Sequence, residues 1–142
     1  MDTNEMTQSA FDPVRYSALF YLAAAWNLIA AGLALGLPDF HTQAFFLDPS
    51  ALSTPAAVLN TRIVWVTVGF FGLGYWIVAR DPRKNHAVIL IAALGKASVG
   101  FLWLAAYQAQ TVGLLALAGA LGDLVFAGCF GLFLLRARAA RT

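Results

Sequence analysis

Four runs of apolar residues, at about 17–37, 62–79, 86–107 and 112–135, are each close to the length that crosses a bilayer. Roughly twenty helical residues at about 1.5 Å rise span about 30 Å of hydrocarbon. The composition agrees: 61% of the residues are hydrophobic and 11% charged, against soluble averages of about 45–50% and 25%. The chain is therefore expected to be all-α, an integral membrane four-helix transmembrane bundle forming a single membrane domain over its 142 residues.

The punctuation between the runs fits that division. Asp12 and Pro13 provide an N-cap followed by a proline at the first helical position, and Pro38 stands where the first span should stop. The outer loop, 38–61, mixes Phe40, Phe45, Phe46 and Leu47 with Asp39, His41 and Asp48. That mixture suits the headgroup region and predicts a short interfacial helix. Ser53-Thr54-Pro55 repeats the cap-then-proline signal, so the second helix should begin near Pro55 and enter hydrocarbon near Ile63. A tight polar turn, Arg80 to Asn85, separates the second and third spans, and Gln108 to Thr111 the third and fourth. No internal repeat links the two halves.

Basic residues resist translocation, so their distribution sets orientation. Arg15, Arg80, Arg83, Lys84, Arg136, Arg138 and Arg141 fall on one side and only Arg62 on the other. The expectation is a multi-pass protein of a cell inner membrane with both termini, including the basic tail 136–142, in the cytoplasm. Asp2, Glu5 and Asp12, with no early basic cluster, argue against a cleaved signal peptide. Trp65, Tyr75, Trp76 and Tyr107 lie toward span ends, as an aromatic belt requires, whereas Trp26 and Trp103 lie deeper and are expected to pack between helices.

Two full charges remain inside the predicted hydrocarbon: Lys96 in the third span and Asp123 in the fourth. Each opposes insertion by about 2.5–3.5 kcal/mol at a helix centre unless it finds a partner. In an antiparallel pair of helices joined by a short turn, positions symmetric about the turn share a depth. Lys96 and Asp123 are symmetric about the point between Ala109 and Gln110. Their faces agree as well. Ala92, Ala93 and Gly100 flank Lys96 at helical spacing, and Ala116, Gly119, Ala120 and Ala127 flank Asp123. Such small residues let membrane helices approach closely. Asn27, on an alanine face of the first span made by Ala23, Ala24, Ala30, Ala31 and Ala34, should join the same interior.

The buried polar cluster Lys96, Asp123 and Asn27 therefore has three readings. It is an ion pair that fixes helix register, a mid-depth polar cavity that binds a ligand or relays protons, or a charge that meets an opposite charge on a partner subunit. Arg62 with Asn60 forms a second, weaker candidate at the outer entrance. It attracts an anion or, as interfacial arginines commonly do, contacts lipid headgroups. Gly32 and Gly36 make a G-x-x-x-G that marks a helix contact or a dimer surface.

Other chemistry has little support. The basic residues form no stripe, which argues against a nucleic-acid partner. His41 and His86 fall on opposite sides of the membrane and Cys129 is isolated, so neither a metal site nor any cofactor is expected. No H-E-x-x-H, G-x-S-x-G, C-x-x-C or phosphate-binding glycine loop occurs, so no motif indicates catalysis.

The stretch Gly72-Leu73-Gly74-Tyr75-Trp76-Ile77-Val78-Ala79-Arg80-Asp81-Pro82, continued by Asn85, Gly95-Lys96 and Gly122-Asp123, resembles a group of small bacterial four-span membrane proteins. That resemblance covers the last three spans, implies a bacterial inner-membrane protein and carries over no site. The small four-span exporters that use a first-helix glutamate match poorly, because the first span here has no carboxylate. The expected function is a small membrane protein that binds a hydrophobic or amphipathic ligand, or a partner membrane subunit or second copy, through its polar-centred interior. The alternative is a proton-coupled small-molecule carrier using Asp123 with Lys96 as counter-charge.

Overall fold

A computed structural model of the chain describes residues 16–140. The expected cap at Asp12 and Pro13, and the basic residues Arg15 and Arg141, lie outside the described residues. Among the described residues the architecture is all-helical, with α1 at Ser17–Gly36, α2 at Pro38–Phe45, α3 at Pro55–Arg80, α4 at His86–Gln108 and α5 at Leu114–Ala139. Helices α1, α3, α4 and α5 are each long and apolar enough to cross a membrane. Their outward faces carry Leu22, Phe70, Leu102 and Leu114, all well exposed, as a bundle solvated by lipid requires.

Helix starts follow the punctuation in the chain. The Thr54 hydroxyl accepts from the Ala57 amide at 3.2 Å, and Pro55 takes the first position of α3. Helix α4 begins at His86 after a 3-10 turn at Pro82–Lys84. Helix α5 begins two residues later than expected, because Gln110 turns the chain with a φ of 55° and Gly113 supplies an extended cap. Thr67 donates its hydroxyl to the Ile63 carbonyl at 2.8 Å, a bond within its own helix.

The four spans form two tight antiparallel hairpins, α1 with α3 and α4 with α5, whose backbones approach along their lengths. Helices α3 and α4, although joined by a short polar turn, touch through few residues. Residue size explains the contrast. Helix α1 turns Ala23, Ala24, Ala31 and Ala34 inward. At Gly100 of α4, a Cβ would meet Leu124 Cγ at 2.8 Å and the Ala120 carbonyl oxygen at 3.0 Å, so only glycine admits α5 at this distance. Between the hairpins large side chains do the joining. Phe20 of α1 stacks on Phe130 of α5 with centroids 4.9 Å apart and meets Phe133 edge-on at 5.5 Å. Trp26 lies so close to Gly122 that a Cβ there would collide with the indole ring.

The core at the basic end is built from Phe20, Tyr75, Val78, Ile89, Phe130 and Phe133. At the opposite end the loop expected to hold a short helix forms α2. It is tied across the α4–α5 turn by two backbone bonds, Leu47 amide to Thr111 carbonyl at 3.2 Å and Gly113 amide to Phe45 carbonyl at 2.8 Å. Gly32 and Gly36 face outward with open space around them, so their spacing marks no contact inside the bundle.

Candidate functional site

Lys96 and Asp123 lie near the middles of α4 and α5, where their helices are pressed together by Gly100 and Ala120. The Lys96 ammonium donates to Asp123 Oδ1 at 2.5 Å and to Asn27 Oδ1 at 2.9 Å. Asn27 in turn donates through Nδ2 to the Val68 carbonyl of α3 at 3.3 Å. Three side chains and one carbonyl thus connect all four spans. Lys96 is 4% exposed and Asn27 7%, but the Asp123 side chain is 17% exposed.

Beyond its two hydrogen bonds, the ammonium sits 5.6 Å from the Tyr75 ring centroid and 5.2 Å from that of Phe126. Both distances are within reach of cation–π attraction, so the charge is surrounded by polar and π partners despite its burial. Asp123 is less completely used. Its Oδ1 takes the ammonium, while Oδ2 has no hydrogen-bond partner among the described residues and retains accessible surface. The cluster therefore presents one unused carboxylate oxygen near the middle of the spans.

All three residues singled out from the sequence meet here. Tyr75 does not take the belt position expected of it. It points inward, 3% exposed, because it shares a helical face with Gly72 and Ala79. That spacing was visible in the sequence, whereas the Phe126 contact was not. Trp65 is also buried rather than belt-like, while Trp76 remains exposed. Trp26 packs between α1 and α5 yet keeps one edge exposed, and Trp103 packs against Phe45 and Phe46.

The candidate pair Arg62 and Asn60 is split. Arg62 lines a groove of about 320 Å³ between α2 and the start of α3, and Asn60 is exposed outside it. The same groove is lined by His41, which sequence reasoning had set aside once a shared metal site with His86 was excluded. His41 is wedged between Phe45, stacked at 4.4 Å, and Trp65, edge-on at 4.7 Å. Burial pushes its imidazole below the ordinary 6.5, which keeps the ring neutral at pH 7.

One curated relative, a phospho-N-acetylmuramoyl-pentapeptide-transferase of Desulfovibrio desulfuricans, is 32% identical over 127 residues, covering 80% of this chain and 34% of the transferase. The chain thus spans about a third of the length of that relative. No family model matches the chain, and no solved structure matches it.

Proposed function

We propose that the protein is a small integral membrane protein whose bundle centre engages a hydrogen-bond donor arriving from within the membrane. The donor belongs to an amphipathic ligand or to a membrane-spanning helix of a partner or second copy. The single observation that carries this reading is the unused Asp123 Oδ2. A carboxylate oxygen at that depth has no bulk water to bond, so a donor that reaches it is not exchanged against water. Hydrogen bonds to charged groups contribute about 1.5–3 kcal/mol, enough to select among otherwise similar apolar molecules.

The same oxygen supports a second reading, a proton-coupled carrier in which Asp123 takes up and releases the proton while Lys96 balances its charge. A transferase activity would rest on the relative's name alone, over a third of that relative's length.

For orientation we favour a bacterial inner membrane with the basic end in the cytoplasm. Arg80, Arg83, Lys84, Arg136 and Arg138 share that end and Arg62 stands at the other. Labelling an Asn60→Cys variant from outside intact cells tests this, and labelling only after lysis would reverse the assignment.

The functional test is purification in native-lipid nanodiscs followed by mass spectrometry of co-purifying lipids, quinones, pigments and subunits. A molecule or subunit present in stoichiometric amount, and lost from the paired Lys96→Met, Asp123→Leu variant, is the expected result. An empty, monomeric preparation would contradict it. If the ligand persists in Asp123→Asn while its pH-dependent transport into vesicles stops, the carrier reading replaces the simpler one.

A further inference from the structure

The bundle end that carries Arg62 holds a second polar constellation, separate from the Lys96 cluster. Its groove, of about 320 Å³, is lined by Asp39, His41, Thr42, Arg62 and Trp65 together with apolar residues such as Ala34, Leu35 and Val58. Two opposite charges line this groove, yet Arg62 and Asp39 form no ion pair or hydrogen bond with each other or with any other described residue. Beside them His41 is 3% exposed, and its Nε2 is buried with no hydrogen-bond partner among the described residues. Buried polar atoms are ordinarily satisfied, and this unpartnered nitrogen belongs to a side chain that lines the groove.

We propose that this groove binds a zwitterionic headgroup carrying a phosphate and a primary amine. The Arg62 guanidinium is a planar fork that matches phosphate oxygens two at a time, and the Asp39 carboxylate accepts from the ammonium. The neutral His41 imidazole has one nitrogen that donates and one that accepts, and a turn of the ring would bring the buried Nε2 to either half of such a group. A ligand of one charge would leave either Arg62 or Asp39 facing it with the wrong sign. The volume is at the small end of the about 300–1,000 Å³ typical of ligand pockets, which suits a headgroup whose chains continue over Ala34, Leu35 and Val58 into lipid. The same chemistry occurs in a phospholipid and in a soluble phosphoryl amine.

The test uses the full chain in a neutral detergent, titrated with phosphatidylethanolamine, with phosphatidylglycerol and with free phosphoethanolamine. Native mass spectrometry reads lipid binding. The ¹⁵N shifts of the two imidazoles read the groove, His41 as reporter and His86, at the far end of the bundle, as reference. Phosphatidylethanolamine should bind saturably, shift His41 and leave His86 in place. Arg62→Gln and Asp39→Asn should each weaken it at least tenfold, and phosphatidylglycerol should bind at least tenfold more weakly. Both substituted positions are exposed, and unchanged helical circular dichroism confirms that the variants fold. If free phosphoethanolamine alone reproduces the His41 shift, the site belongs to a soluble compound of the proposed chemistry. The proposal is overturned if none of the three probes moves His41, if phosphatidylglycerol binds equally well, or if both variants bind like the unaltered chain.

Discussion

Lys96→Met alone is expected to abolish accumulation of folded protein or lower its melting temperature severely, whereas Lys96→Met combined with Asp123→Leu should restore most of the loss. The ammonium bonds Asp123 at 2.5 Å and Asn27 at 2.9 Å, so removing it leaves an uncompensated carboxylate in a site only 17% exposed. Breaking a buried pair from one side costs about 3–5 kcal/mol, while replacing both members by apolar residues of similar volume is often neutral. Asn27 loses one partner in either variant but keeps its bond to the Val68 carbonyl. Thermal unfolding in detergent, followed by size-exclusion chromatography, separates the two. Equal stability of the single and double variants would mean that the pair does not hold the spans together.

Gly100→Val should destabilise by about 1–3 kcal/mol, the usual range for overpacking a tight contact. A Cβ at this position would lie 2.8 Å from Leu124 Cγ and 3.0 Å from the Ala120 carbonyl. The leucine can swing aside, but the carbonyl belongs to the α5 backbone and yields only if the two helices separate. Lys96 is one turn away on the same face, so separation also stretches its bond to Asp123. Gly95→Ala is the matched control, because a Cβ there meets nothing within 4 Å. Alanine has the higher helix propensity, so this change should be neutral or slightly stabilising. Melting temperatures of the two variants side by side check the contrast, and a Gly100→Val protein as stable as the parent would show that α4 and α5 are not in close contact.

Much of the polar centre was legible because it rests on helical geometry alone. Depth symmetry about one turn paired Lys96 with Asp123, and the pairing survives the later start of α5. The alanine face around Asn27 placed it in the same interior. Tyr75 was misread because an aromatic near a span end carries the belt signal as well as a core signal, and the Gly72, Tyr75, Ala79 spacing settles the matter only once the facing helix is known. The groove beside Arg62 was barely legible. His41 acquires its position from Trp65 and from the backbone bonds that tie 45–47 to 111–113, contacts far apart in sequence that no local period encodes. Asn60, two residues from Arg62, was grouped with it by proximity along the chain, yet on a helix that spacing turns a side chain well away from its neighbour.

An ammonium and a carboxylate from neighbouring spans touch inside the bundle. Lys96 is one of only two lysines, and the other, Lys84, contacts Asp81 at 3.1 Å in an exposed turn. In a Lys84→Arg background, solid-state NMR of protein in lipid, with ¹⁵N on the lysine ammonium and ¹³C on the aspartate carboxyl carbons, reports Lys96 alone. Strong dipolar dephasing, matching the 2.5 Å contact to Oδ1, that disappears in Asp123→Asn is the predicted result. A Lys96 signal with no dephasing from any aspartate would contradict it.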